Sequence, residues 1–240
     1  MAQANARLLD AGEAALVVEF GDTIDPAIHD RVMALDAALE AQGPAGIVER
    51  VPTYRSLMIH YDPLVLPRAA LASAVRALES VPRSASSRRR WIVPMCYDAS
   101  LAEDLPYLAK TFGMTEARVV EFHAAATYRI YMYGFAPGFC YLGGHPPELT
   151  LPRRASPRPP TPANVVMTAA GMSIITTISM PTGWWILGRT AERMFSTARR
   201  ESVFAQVGDE VRFEPVDLDT YRALDARAAK GELVARAADA

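Results

Sequence analysis

Four arginines stand where they could recognise an anion. Arg153, Arg154 and Arg158 fall in LPRRASPRPPTP (Leu151–Pro162), and Arg189 lies near the end of WWILGRT. Proline fixes φ and removes backbone donors, so the first segment is stiff, extended and unable to pair as a central strand. A guanidinium presented from such a frame suits bidentate recognition of carboxylate or phosphate. A surface arginine is usually only solvated, so one or two of the three are expected to meet an anion. Arg189 can equally pair with a carboxylate of the fold. Just upstream runs GFAPGFCYLGG, Gly134–Gly144. Its glycines, Gly138, Gly143 and Gly144 among them, let the main chain approach a ligand or another chain closely. Phe135, Phe139 and Tyr141 are costly to leave in water and should line a pocket or an interface. A barrel corner plugged by aromatics accounts for the pattern equally well. The candidate substrate-binding residues are therefore Tyr141, Arg153, Arg154, Arg158 and Arg189, with Gly138, Gly143 and Gly144 shaping the backbone around them.

The first candidate for acid–base catalysis is His123, with Glu121 two residues before it; a histidine on a helix flank is also a common structural residue. Cys140 has only His145 near it in sequence and reads as a packing cysteine rather than a nucleophile. The two cysteines, Cys96 and Cys140, have no metal-ligand spacing, and no metal site is expected. Lys110 and Lys230 are the only lysines, and neither lies in a Schiff-base or phosphate-loop motif.

These residues must be held by two kinds of scaffold. Ala14–Phe20 reads as a strand, and Asp25-Pro26 caps a helix carrying Ile28, Val32, Leu35 and Leu39 at helical spacing. Strands follow at Gly46–Val51 and Ser56–Tyr61, with His60 a half-exposed sheet residue, then a helix opened by Pro67 with Leu71, Val75 and Leu78. This β-α-β-β-α order is most of a ferredoxin-like split βαβ unit, two helices covering one face of an antiparallel sheet. The polar stretch Pro82–Arg90 marks a linker. Beyond it come a strand at WIVPM, helices at Leu101–Phe112 and Thr115–Ala126, and strand runs at YRIYMYGF, NVVMTAAG, MSIITTISM, WWILGRT and DEVRFEPV. Short strands at such spacing, punctuated by Gly and Pro, indicate a closed barrel or sandwich. The expected domains are 1–81, a linker at 82–90, a barrel at 91–218 and a helical or frayed tail at 219–240.

The chain is long enough, at 240 residues, for one large or two modest cores, and half of it is hydrophobic. A net charge of −2 gives no electrostatic reason to expect nucleic acid or an anionic membrane as partner. There is no basic-then-apolar signal pattern and no run of membrane-spanning length, so a cytoplasmic protein is expected.

The runs GFAPGFCYLGG, LPRRASPRPPTPA, PTGWWILGRT and GDEVRFEPV together closely resemble the allophanate hydrolase subunit 1 family, of the carboxyltransferase subdomain C/D type. That family includes the B-type subunit of bacterial ATP-dependent 5-oxoprolinase and an inhibitor of a sporulation histidine kinase. The first half is similar too, at GEAALVVEFGDTIDPAIHDRVMALDAALE and GIVERVPTYRSLMIHYDP, so the resemblance runs from about Gly12 to Val216. It implies an α+β chain with an N-terminal ferredoxin-like domain and a C-terminal cyclophilin-like β-barrel. It also implies a larger subunit 2 that completes the active site, a third, barrel-type subunit, and ATP bound on or with a partner. The reaction it implies is hydrolysis of the lactam of 5-oxoproline to glutamate, with the protein inactive or nearly so alone. Phosphorylating the lactam oxygen would make a poor electrophile reactive.

The family pattern is broken between Thr161 and Thr177. Asn164 and Ile174 replace glycines, Met172 replaces Gln, and Thr176-Thr177 replace Tyr-Pro. Exchanging Gln for Met removes a donor and an acceptor, so the pocket should differ in shape and polarity from the usual one. A regulatory protein that inhibits a sensor histidine kinase is the alternative reading. A urea carboxylase-like role would need a biotinylated partner, and isomerase activity does not follow from a cyclophilin-like barrel.

Overall fold

The computed structural model describes residues 6–79 and 88–238. Most of the predicted linker, Pro82–Ser87, lies outside the described residues. The chain divides into two compact units, Met1–Ser87 and Arg88–Ala240.

In the first unit, four antiparallel strands form a sheet in the order β1-β2-β4-β3: β1 (Arg7–Asp10), β2 (Ala15–Glu19), β3 (Ile47–Pro52) and β4 (Ser56–Tyr61). Helices α1 (Pro26–Gln42) and α2 (Arg68–Leu78) cover it, and Val32, Leu35, Leu39, Leu71 and Val75 pack on Leu16, Val18, Leu57 and Ile59. α1 begins where Asp25 is free to cap: its carboxylate accepts from the Ala27 and Ile28 amides at 2.6 and 3.3 Å. The five elements expected here are present. A further strand, β1, lies on the outer edge of β2, where Leu8 faces Val18 and Leu9 faces Val17. RLLD has neither β-branched residues nor alternation, which is why periodicity does not reveal it.

The second unit is a seven-stranded closed barrel. Its strands are β5 (Arg90–Cys96), β6 (Tyr128–Tyr133), β7 (Cys140–Gly143), β9 (Val165–Ala169), β10 (Met172–Ile175), β12 (Trp185–Thr190) and β13 (Glu210–Val216). The order is β12-β9-β10-β7-β6-β13-β5, and pairing of Arg189 and Thr190 with Cys96 and Met95 closes the ring. β13 runs parallel to β5; a last strand, β14 (Arg236–Ala237), takes the remaining edge of β5 at Trp91 and Ile92. Helices α3 (Leu105–Phe112) and α4 (Glu116–Ala125) pack on the barrel core, and α5 (Leu218–Ala228) follows β13. Strand alternation divides the side chains. Ile130, Cys140, Leu142, Val166, Ile175 and Leu187 belong to the main core, whereas Phe139, Val165, Met167, Ile174, Trp184 and Ile186 form a second cluster on the opposite face.

Two expectations change here. The helix predicted from Leu101 starts at Leu105, because Asp98 turns the chain by taking the Ser100 amide at 2.9 Å and its carbonyl takes Leu101. The stretch Gly134–Gly144 is not all loop: Cys140–Gly143 is a central strand between β6 and β10. Two short strands outside the barrel, β8 (Arg158–Thr161) and β11 (Met180–Thr182), pair with each other, so the proline-rich segment finds an edge partner without entering the main sheet.

Candidate functional site

The proline-rich segment is pinned to the barrel at several points. Trp185 Nε1 donates to the Pro152 carbonyl at 2.8 Å, and the Arg154 amide donates to the Gly183 carbonyl at 2.8 Å. Tyr107 stacks on Trp185 at 4.6 Å, and the Arg154 guanidinium lies over the Trp185 ring at 4.7 Å. From this frame, three of the four candidate arginines converge on two carboxylates at the start of α3. Arg158 is held by both oxygens of Asp104, and Arg154 reaches the same residue at 3.4 Å. Glu103 takes Arg158 at 3.3 Å and Arg189 at 3.2 Å. Asp104 is only 7% exposed and also accepts the Ile186 amide at 2.7 Å. This buried carboxylate is thus satisfied by protein groups, and the arginines find their anion within the chain. Nothing in the sequence singles out Glu103 and Asp104. An acidic pair just before a helix looks like an ordinary cap, yet Asp104 caps nothing and reaches residues some fifty to eighty positions away.

Arg153 is placed differently. Its guanidinium lies 5.2 Å over the Trp184 ring, and among the described residues it makes no ion pair or hydrogen bond. Its charge reaches Tyr141, whose phenol is pushed up by partial burial and pulled back by Arg153. Tyr141 continues a row of rings, 5.3 Å from Phe139, which is 5.3 Å from Phe135. Phe135 is 72% exposed in a left-handed conformation, φ 72°. A solvent-facing guanidinium on an indole, within electrostatic reach of a phenol, can bind an anion.

The three glycines serve packing within the chain. A Cβ on Gly143 would lie 2.0 Å from the Tyr131 ring, one on Gly144 2.5 Å from the Thr127 carbonyl, and one on Gly138 2.4 Å from the Phe195 Cβ. Their close approach is to protein atoms, so the role expected at a ligand is taken by neighbouring chain.

His123 lies apart, fully buried in the barrel unit, its Nδ1 2.7 Å from the Tyr97 hydroxyl and its ring stacked on Phe213 at 4.9 Å. Burial, with a smaller contribution from His145, lowers its pKa to about 3. The acid–base role expected for it does not suit this position, because the imidazole stays neutral near pH 7 and no solvent reaches it. Cys140 is buried and its thiol is pushed far up by desolvation, which fits a packing cysteine. Among the described residues no cluster of His, Cys, Asp or Glu could hold a metal ion, and no helix is long and apolar enough to cross a membrane.

On the other flank of the Gly134–Phe139 loop is a cleft of about 280 Å³ lined by Pro137, Asn164, Thr177, Ile178, Arg193 and Phe195. Thr177 Oγ1 donates to the Pro137 carbonyl at 2.8 Å. Two of the cleft residues, Asn164 and Thr177, are among the departures from the family pattern. Arg193 and Phe195 belong to no motif, and no sequence signal marks them.

With a closed barrel in its second unit and helices in both, the chain is a mixed α/β protein. The solved urea amidolyase of K. lactis shares this fold, with a TM-score of 0.79 at 19% identity over 97% of this chain and 16% of its own. The chain belongs to the carboxyltransferase domain family, subdomain C and D, whose pattern matches residues 6–205. It is 31% identical over 224 residues to the 5-oxoprolinase B-type subunit of Bacillus subtilis (strain 168), covering 88% of this chain and 93% of that protein. The crystal structure of TTHA0988 is 33% identical, with a TM-score of 0.76 over 84% of this chain, which spans only 40% of that longer one.

Proposed function

We propose that this chain is the subunit of an ATP-dependent amide or lactam hydrolase of the 5-oxoprolinase type, acting on 5-oxoproline or a close relative to release an amino acid. Its reacting site would be completed by a larger subunit 2-like partner, with a third, barrel-type subunit. The observation that carries the site assignment is the uncommitted Arg153 guanidinium on Trp184 beside Tyr141. It supplies a positive charge for a substrate carboxylate or phosphoryl group, while Arg154 and Arg158 anchor the proline-rich segment that presents it and Arg189 pairs with Glu103. ATP is assigned to a partner. The sequence has no Walker-type phosphate loop, which supports placing the nucleotide on or with a partner. In this reading the second unit is a cyclophilin-like barrel. The first is a ferredoxin-like sheet in which β1 takes the edge that a strand after α2 would fill, a view supported by its β1-β2-β4-β3 order.

The test is glutamate release from 5-oxoproline by the chain purified together with the products of its neighbouring genes. Release that requires ATP is expected, with little or none from the chain alone. A well-formed complex that releases nothing from 5-oxoproline or related lactams would refute the reading. Absence of any complex would move the kinase-inhibitor alternative ahead.

A further inference from the structure

The cleft beside the Gly134–Phe139 loop has chemistry that the Arg153 face lacks. Asn164 occupies a left-handed turn, φ 61°, just before β9, and is fixed at both backbone ends. Its amide donates to the Thr176 carbonyl at 2.9 Å and its carbonyl accepts from the Thr190 amide at 3.0 Å. Among the described residues its side-chain carboxamide has no hydrogen-bond partner. Arg193 also lines the cleft, but its charge is offset by Asp225 at 2.7 Å and one N–H goes to the Ala191 carbonyl at 3.0 Å. Phe195, Ile178 and Pro137 supply apolar walls, and Gly138 packs on Phe195 without a gap.

A charge-balanced cleft with apolar walls suits the uncharged amide edge of a ring, with the carboxylate of 5-oxoproline left outside it. A carboxamide presents one acceptor and two donors, and its oxygen and one N–H lie on the same side. A lactam, being a cis amide, also presents N–H and C=O on one side, so the two can form a pair of antiparallel hydrogen bonds. An open-chain trans amide points these groups in opposite directions and can form only one. We propose that this cleft is a lactam subsite in which the Asn164 carboxamide pairs with the cis-amide edge, making Asn164 a residue that selects cyclic over open-chain amides. The proposal rests on the lactam-hydrolase reading above and adds to it where the ring sits. It also gives a role to a residue that replaces a glycine of the family pattern.

The experiment is an NMR titration of the full chain with 2-pyrrolidinone, N-methyl-2-pyrrolidinone and N-methylacetamide. The first should shift the Asn164 side-chain NH₂ and the Phe195 and Ile178 signals, the blocked lactam and the open-chain amide far less. Asn164→Asp, which keeps the size and removes the donor, should weaken 2-pyrrolidinone binding about tenfold or more without lowering the melting temperature. Asn164→Gly should weaken it similarly. Shifts confined to Tyr141 and Arg153, no shifts at all, or equal response to the N-methyl lactam would overturn the subsite. Undiminished glutamate release by an Asn164→Asp complex would overturn the subsite and leave the hydrolase reading standing. Pyrrolidinone bound at Asn164 in a complex that hydrolyses no lactam would overturn that reading and support the subsite.

Discussion

The Asp104 hub and the Arg153 face use the same side chain for opposite ends. Arg154 and Arg158 leave the same short segment as Arg153, yet they and Arg189 end on Glu103 and Asp104, while Arg153 ends on an aromatic ring and in solvent. A guanidinium that already holds a carboxylate has its charge largely offset, although the three here share only two carboxylates. One that rests on an indole keeps its full set of donors. An arginine-rich motif is thus part clamp and part solvent-facing charge, and the local acids decide which.

The comparison can be broken most sharply at its structural end. Asp104→Ala leaves the Arg154 guanidinium and the Ile186 amide without their acceptor and Arg158 with Glu103 alone, and should cost about 3–5 kcal/mol in a urea melt, the usual range for breaking a buried ion pair. A loss under about 1 kcal/mol would show that the hub does not hold the proline-rich segment. Next in size is an acid effect at His123, which the contrast places with the structural residues. Its folded pKa of about 3 lies below the ordinary 6.5, so below pH 6.5 the unfolded chain binds a proton the folded chain refuses. Stability should therefore fall by up to about 1.4 kcal/mol per pH unit between 6.5 and 3, with no such contribution above 6.5. His123→Phe should flatten that slope, leaving the smaller share of His145, whose pKa burial also lowers. An unchanged slope, measured by denaturation at about pH 7, 5.5 and 4.5, would show that His123 titrates in solvent. Glu103 is 41% exposed at its side chain, so Glu103→Gln should cost no more than about 1 kcal/mol. Arg153→Ala should be the mildest for stability, about 0.5–1 kcal/mol for the lost ring contact.

Much of this scaffold is written in simple periodicities. Leu57, Ile59 and Tyr61 alternate and form β4; Ile28, Val32, Leu35 and Leu39 repeat at helical spacing and form α1. Most of the barrel strands announce themselves by β-branched runs between Gly and Pro. β7 is hidden because Cys140-Tyr141-Leu142-Gly143 mixes interior and exterior roles with a glycine that exists to seat Tyr131. β14 is two residues long and depends on a distant anchor: the buried Glu192 carboxylate takes the Val234 and Ala235 amides at 2.7 and 2.6 Å and pairs with Arg199. No local pattern encodes such a contact. The candidate arginines are legible as a group, but their division is not, because it depends on contacts with Glu103 and Asp104, more than fifty residues away from Arg158 and Arg189. Asn164 is visible as a departure from the family pattern, whereas its cleft exists only once Arg193 and Phe195 are brought to it.

The most direct test of the division of labour is to measure melting temperature and ATP-dependent glutamate release on one preparation of Arg153→Ala in the reconstituted complex. The expected result is a complex that assembles and melts close to wild type while release falls at least tenfold. Wild-type release from that variant would contradict the division, and would return the search for the recognising charge to the other arginines.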